Sequence, residues 1–246
     1  METIATEAQF VSEPPRALRG LMLYWQMFTN PVVTLTLLRD TPRAFLPTLT
    51  AAVIATAVNY YVIYKIGLRR LMEQAFRATA AVDVDTLIAS AMTHRDEIMT
   101  TQALSAFFGL VVTVLLLALL YWLAATVAGG DVSYERILAV VAHVTFFTTA
   151  VKESMIALVV TVSRNLSTFN IKNPLGTNPA FFVQTTSPGL NRMLLSADAI
   201  TIAGVVLTII GIRRVSTSLS PTAAAAVVLV PWLVYVIAAA WLPWLG

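Results

Sequence analysis

Apolar residues fall into five long stretches, roughly Ala44–Tyr64, Ala103–Ala128, Ile137–Ser163, Leu194–Ile212 and Thr222–Leu242. A helix needs about 20 such residues to cross about 30 Å of hydrocarbon. None of the stretches alternates strictly as a barrel strand does. Open sheets leave backbone groups unsatisfied in lipid, so the pattern predicts an all-α integral membrane protein, a five-transmembrane-helix bundle.

The segments between the spans carry their own signals. Residues 1–13 read as a mobile tail, and Arg16–Arg43 is amphipathic, with Trp25 and Phe28 on it. Asn30-Pro31 and Thr41-Pro42 each read as a cap followed by proline at the first helical position, so short helices are expected to start at both points. Two placements fit these N-terminal amphipathic helices: in the membrane interface, or against the end of the bundle itself. Residues 1–43 are thus expected to form a tail with interfacial helices, and 44–246 the membrane domain.

Lys65–Gln102 is the longest polar interval. Leu68, Leu71, Met72, Ala75 and Phe76 follow helical spacing there, and Asp85 is expected to cap a helix running into the second span. Gly129-Gly130-Asp131 predicts a tight hairpin between spans two and three. Arg164–Met193 carries the turn signals Asn173-Pro174, Asn178-Pro179 and Pro188-Gly189, and its Phe181 and Phe182 suit the interface. Trp241 and Trp244 make an aromatic anchor at the C-terminus.

Composition narrows the class. Hydrophobic residues make up 58% of the 246 and charged residues 12%, with a mean hydropathy of +0.78. That charge density is half of what soluble domains carry. The net charge of +3 is scattered, which argues against nucleic acid as a partner. The basic clusters Arg16–Arg43 and Lys65–Arg95 flank an apolar run and suit anionic lipid headgroups. The absence of cysteine excludes disulfides, thiolate-bound metal and thiol chemistry. The polar, acidic N-terminus lacks the pattern of a cleavable signal peptide. Counted by alternating loops, seven basic residues fall on one side of the membrane and eight on the other, a balance that does not orient the chain, although Arg213-Arg214 in a very short loop slightly favours the N-terminus inside and the C-terminus outside.

Three segments together resemble the bacterial members of the Yip1 domain family. Tyr24–Pro42 is similar to the family's opening, a Phe-x-x-Pro and a threonine-containing helix before the proline ahead of the first span. Gly130-Asp-Val-Ser-Tyr-Glu-Arg-Ile137 resembles its Gly-x-x-Ser/Thr-Tyr hairpin turn. Leu195–Ala203, with Gly211-Ile and Val215-Ser, resembles the start and exit of its fourth span. Ile200 and Ala203 stand where the family favours Phe and Trp, and Lys152-Glu153 where its third span has proline. The resemblance implies five spans in a cell (inner) membrane, with the N-terminus cytoplasmic and the C-terminus outside. Eukaryotic members contact small GTPases in Golgi and ER trafficking; the bacterial members imply no established activity.

The candidate functional residues are few. Lys152 and Glu153 stand near the middle of the third stretch, where each charge costs about 2.5–3.5 kcal/mol. Being adjacent, they point about 100° apart, so each needs its own partner or water. They make either an intramembrane polar site or a structural, snorkelling pair. Asp198 suits the first turn of the fourth span as a dipole partner, with Ser196 as a cap, or else partners Lys152 or a ligand. Thr201, Gly204, Thr208 and Gly211 form one small-residue stripe that allows close helix approach, in the bundle or between two copies. His143 and Glu153, ten residues apart, cannot share a metal on one helix. No phosphate loop, His-Glu-x-x-His or Ser–His–Asp pattern is present, so no catalytic, cofactor or metal site is expected. The expected function is a non-enzymatic adaptor or organiser that binds lipids or other membrane proteins. The alternative is a transporter or permease subunit built on Lys152 and Glu153; the missing inverted repeat weighs against it.

Overall fold

The computed structural model describes residues 16–78, 83–166, 169–170, 173–183, 185 and 187–241. The expected tail at 1–13 and the anchor residue Trp244 lie outside them. Among the described residues there is no strand, and the helices are α1 (Arg16–Thr29), α2 (Pro31–Leu37), α3 (Phe45–Ile66), α4 (Leu68–Ala78), α5 (Val84–Thr93), α6 (Arg95–Val127), α7 (Tyr134–Val162), α8 (Pro188–Ser196), α9 (Ala199–Val215) and α10 (Pro221–Trp241).

Four of these helices, α3, α6, α7 and α10, are long and apolar enough to cross a membrane. A further pair, α8 and α9, passes the same test only taken together and is bent by 55°, as a broken span or a re-entrant segment is. The break has a local cause. Asp198 takes extended backbone and its carboxylate accepts the N–H groups of Ile200 and Thr201, both at 3.0 Å, which starts a new helix at Ala199. Ser196 is not the cap; its hydroxyl donates back to the Arg192 carbonyl at 2.9 Å.

Two other starts differ from expectation. Asn30 caps α2 through Val33 N–H, yet no helix begins at Pro42, and Thr41 donates back to the Leu37 carbonyl instead. Asp83, not Asp85, caps α5, and α5 ends before α6 begins at Arg95. The spacing rules locate helices better than their first residues, because the nearest carboxylate or hydroxyl with the right backbone wins the cap.

α7 is the central helix and packs against α3, α6 and α9. Its buried run, Ile137 and Ala139 to Val144, is nearly all-round, as expected of a helix enclosed by neighbours. α6 buries only Val114, Ala118, Tyr121 and Ala125, one face at helical spacing, and leaves Leu116, Leu119 and Leu123 to lipid. The helices alternate in direction. The start of α3, the α6–α7 turn and the α9–α10 turn therefore share one end of the bundle, here the first end. The starts of α6 and α9 lie at the second.

The N-terminal helices pack on the bundle. Met27, Leu35 and Leu38 are fully buried in the same core as Val140 and Ile212. Tyr24 stacks on His143 at 6.2 Å, and Phe28 meets Phe146 and Phe147 at 5.7 and 5.2 Å. Burial pushes the Tyr24 phenol up to about 12, against the opposing charge of Arg43. Trp25 and Met22 remain exposed on the opposite face.

Candidate functional site

A cavity of about 770 Å³ opens between α6, α7, α9 and α10, with one residue each from α3 and α8. Most of its wall is apolar, including Leu110, Leu117, Val144, Val205 and Trp232. Its polar groups are Lys152, Glu153, Ser196, Tyr121, Tyr235 and a set of threonines.

Helical spacing explains the polar wall. Thr145, Thr148, Thr149 and Lys152 fall at i, i+3, i+4 and i+7, so α7 presents them as one face. Opposite stand Thr201, Gly204 and Thr208 of α9. At Gly204 the two walls approach closely: a Cβ there would lie 3.0 Å from Thr148 Cγ2. The Thr113, Thr148 and Thr208 hydroxyls donate to carbonyls one turn back, at 2.7, 3.0 and 2.8 Å. Each keeps lone pairs that can accept from a bound molecule.

Lys152 and Glu153 make no hydrogen bond or ion pair with another side chain among the described residues. α7 is about 43 Å long, against about 30 Å of hydrocarbon. Lys152 stands ten residues, about 15 Å, before its end. An even overhang puts the pair roughly 8 Å inside the hydrocarbon boundary at the second end.

The structure thus brings Lys152, Glu153, Thr201, Gly204 and Thr208 to one cavity. Asp198 and Gly211 are elsewhere. Asp198 is occupied as the α9 cap, with the Thr201 hydroxyl also on its second oxygen. Gly211 lies nearer the first end, where a Cβ would meet Val140 Cγ1 at 2.4 Å and Leu35 Cδ2 at 3.2 Å. No group of three or more His, Asp or Glu residues fit to hold a metal occurs among the described residues.

Sequence reasoning missed a second polar constellation, at the first end. The Asp131 carboxylate accepts the N–H groups of Thr217 and Ser218 at 3.1 and 3.2 Å and the hydroxyls of Ser216 and Ser218 at 3.0 and 2.9 Å. The Thr217 hydroxyl bonds it as well. These bonds, those from the Thr217 and Ser218 side chains foremost, hold the carboxyl far below the usual carboxylate range. They tie the α6–α7 turn to the α9–α10 turn. The turn that presents Asp131 is itself capped: Gly129 takes φ 78°, and Gly129 and Gly130 N–H close on Thr126 and Ala125 carbonyls. The signal was an acid after Gly-Gly and a Ser-Thr-Ser run before the last span; nothing in the sequence pairs them.

The Asp131 turn and the Val215-Ser216 exit, separate motifs along the chain, are one structural unit here. The family model described as the Yip1 domain matches residues 25–242, which includes both motifs and every helix from α2 to α10. No curated protein and no solved structure matches the chain. The match spans most of the 246 residues, and the chain belongs to the Yip1 domain family.

Proposed function

We propose that the protein is a non-enzymatic organiser of the cell membrane that binds a lipid-like amphiphile in the cavity between α6, α7, α9 and α10. One observation carries this reading: a mostly apolar chamber is lined by a lysine and a glutamate of an apolar span, neither of which makes a hydrogen bond or close ion pair among the described residues. An acyl chain suits the Leu110, Leu117, Val205 and Trp232 walls. A polar headgroup suits Lys152, Glu153 and the threonine face, which supply charge and lone pairs. The family resemblance supports placing the first end, with α1 and α2, in the cytoplasm and the C-terminus outside.

The test is purification in mild detergent, followed by extraction and identification of bound lipid. Wild type is expected to retain a stoichiometric amphiphile that a Lys152→Leu/Glu153→Leu variant loses. Equal retention by both would remove the cavity from the account.

The same unpaired charges favour a second reading, a transporter or permease subunit. It requires the cavity to exchange a solute with both sides. Flux into proteoliposomes that disappears in the double variant would favour it over the organiser. Absence of flux alongside bound lipid would favour the organiser.

A further inference from the structure

We propose that Arg213 and Arg214 form an anionic phospholipid site at the first end, independent of the large cavity. A second cavity, of about 450 Å³, is lined by Ile209, Ile210, Arg213, Arg214 and Pro221. Each arginine follows an isoleucine by four residues, so α9 presents two apolar side chains and, one turn on, two guanidinium groups. These arginines stand in the last turn of the α9 span, where hydrocarbon gives way to headgroups. Pro221 opens α10, whose positive dipole end borders the same space.

Both arginines are exposed. Arg213 spends one N–H on the Ser216 carbonyl, at 3.4 Å, and Arg214 makes no hydrogen bond or ion pair among the described residues. The acid of the neighbouring turn, Asp131, is taken up by Ser216, Thr217 and Ser218. The two guanidinium groups therefore face the cavity with most of their donors open. A guanidinium fork matches phosphate geometry, and a net negative lipid answers the doubled charge better than a zwitterionic one. The acyl chain then lies along Ile209 and Ile210.

The test uses the full chain in detergent, titrated with phosphatidylglycerol or phosphatidylcholine and read by native mass spectrometry. Wild type is expected to bind one phosphatidylglycerol in preference to phosphatidylcholine. Arg213→Gln/Arg214→Gln should weaken that binding at least about tenfold, since charge-assisted bonds are lost. Arg69→Gln/Arg70→Gln, which removes the same charge from α4, should leave it unchanged. Arg214→Gln alone removes no hydrogen bond of the fold and carries the test if the double variant does not purify. Equal loss in the α4 variant, or no preference in wild type, would overturn the site. Complete displacement by inorganic phosphate at the lipid's own concentration would also overturn it, as the occupant would then be free phosphate.

Discussion

The carboxylate of Asp131, in the turn after α6, accepts the backbone N–H of Thr217, in the turn after α9, at 3.1 Å. Eighty-six residues separate the two. An amide in place of the acid would keep the acceptor but lose its charge, and would set an N–H₂ against donors. The bond therefore selects an ionised acid, and its pH dependence has a fixed sign. Because the folded carboxyl titrates below the unfolded one, its stabilisation is fully present above about pH 4 and fades as pH falls further. Asp131→Asn is expected to lower the melting temperature at pH 7, with the gap to wild type narrowing below pH 4. A gap that is constant from pH 3 to pH 7 would show that the carboxylate charge is not what the turn uses.

Gly211 and Gly109 make a matched pair. A Cβ on Gly211 would lie 2.4 Å from Val140 Cγ1, whereas one on Gly109 meets nothing within 4 Å. Gly211→Ala is expected to destabilise by about 1–3 kcal/mol through overpacking. Gly109→Ala should be neutral or stabilise by up to about 1 kcal/mol through helix propensity. Thermal unfolding in one detergent compares them directly; equal shifts would contradict the close approach of α9 to α7.

Asp198 is expected to behave as a cap. Asp198→Ala should cost about 0.5–2 kcal/mol, while Asp198→Asn, which keeps an acceptor, should cost little. A comparably large loss on Asp198→Asn would mean that the negative charge is required, by the helix dipole or by a cation at the start of α9.

Met27 and Trp25 report whether α1 belongs to the bundle. Met27 is fully buried and Trp25 is 72% exposed. Met27→Ala should cost about 2–5 kcal/mol. Trp25→Ala should leave detergent stability within about 0.5 kcal/mol while weakening attachment of α1 to vesicles, measured by protease protection.

Lys152→Leu/Glu153→Leu is expected to fold and to melt no lower than wild type. Neither side chain makes a hydrogen bond or close ion pair among the described residues, and both stand in a helix long and apolar enough to cross a membrane. A marked fall in melting temperature would assign the pair a structural role and weaken the cavity reading.

Hydrophobic periodicity determined the class, the four long spans and the short α6–α7 hairpin, because burial in lipid dictates about 20 apolar residues per span wherever the helices later pack. The family was also legible, from motifs that are short but ordered along the chain. The face of α7 that carries Lys152 was readable in principle, since Thr145, Thr148 and Thr149 precede it at helical spacing. What that face meets was not. Whether Thr201, Gly204 and Thr208 stand across a cavity from Lys152, or elsewhere, depends on the rotation of α9 against α7, which no local pattern fixes. The bend at Asp198 needed backbone geometry, because an acid in an apolar run suits a first turn as well as a break. The Asp131 tie needed it most. Two polar turns that look independent along the chain meet because alternating helix directions return both to the same end of the bundle, and only packing brings them within hydrogen-bond reach.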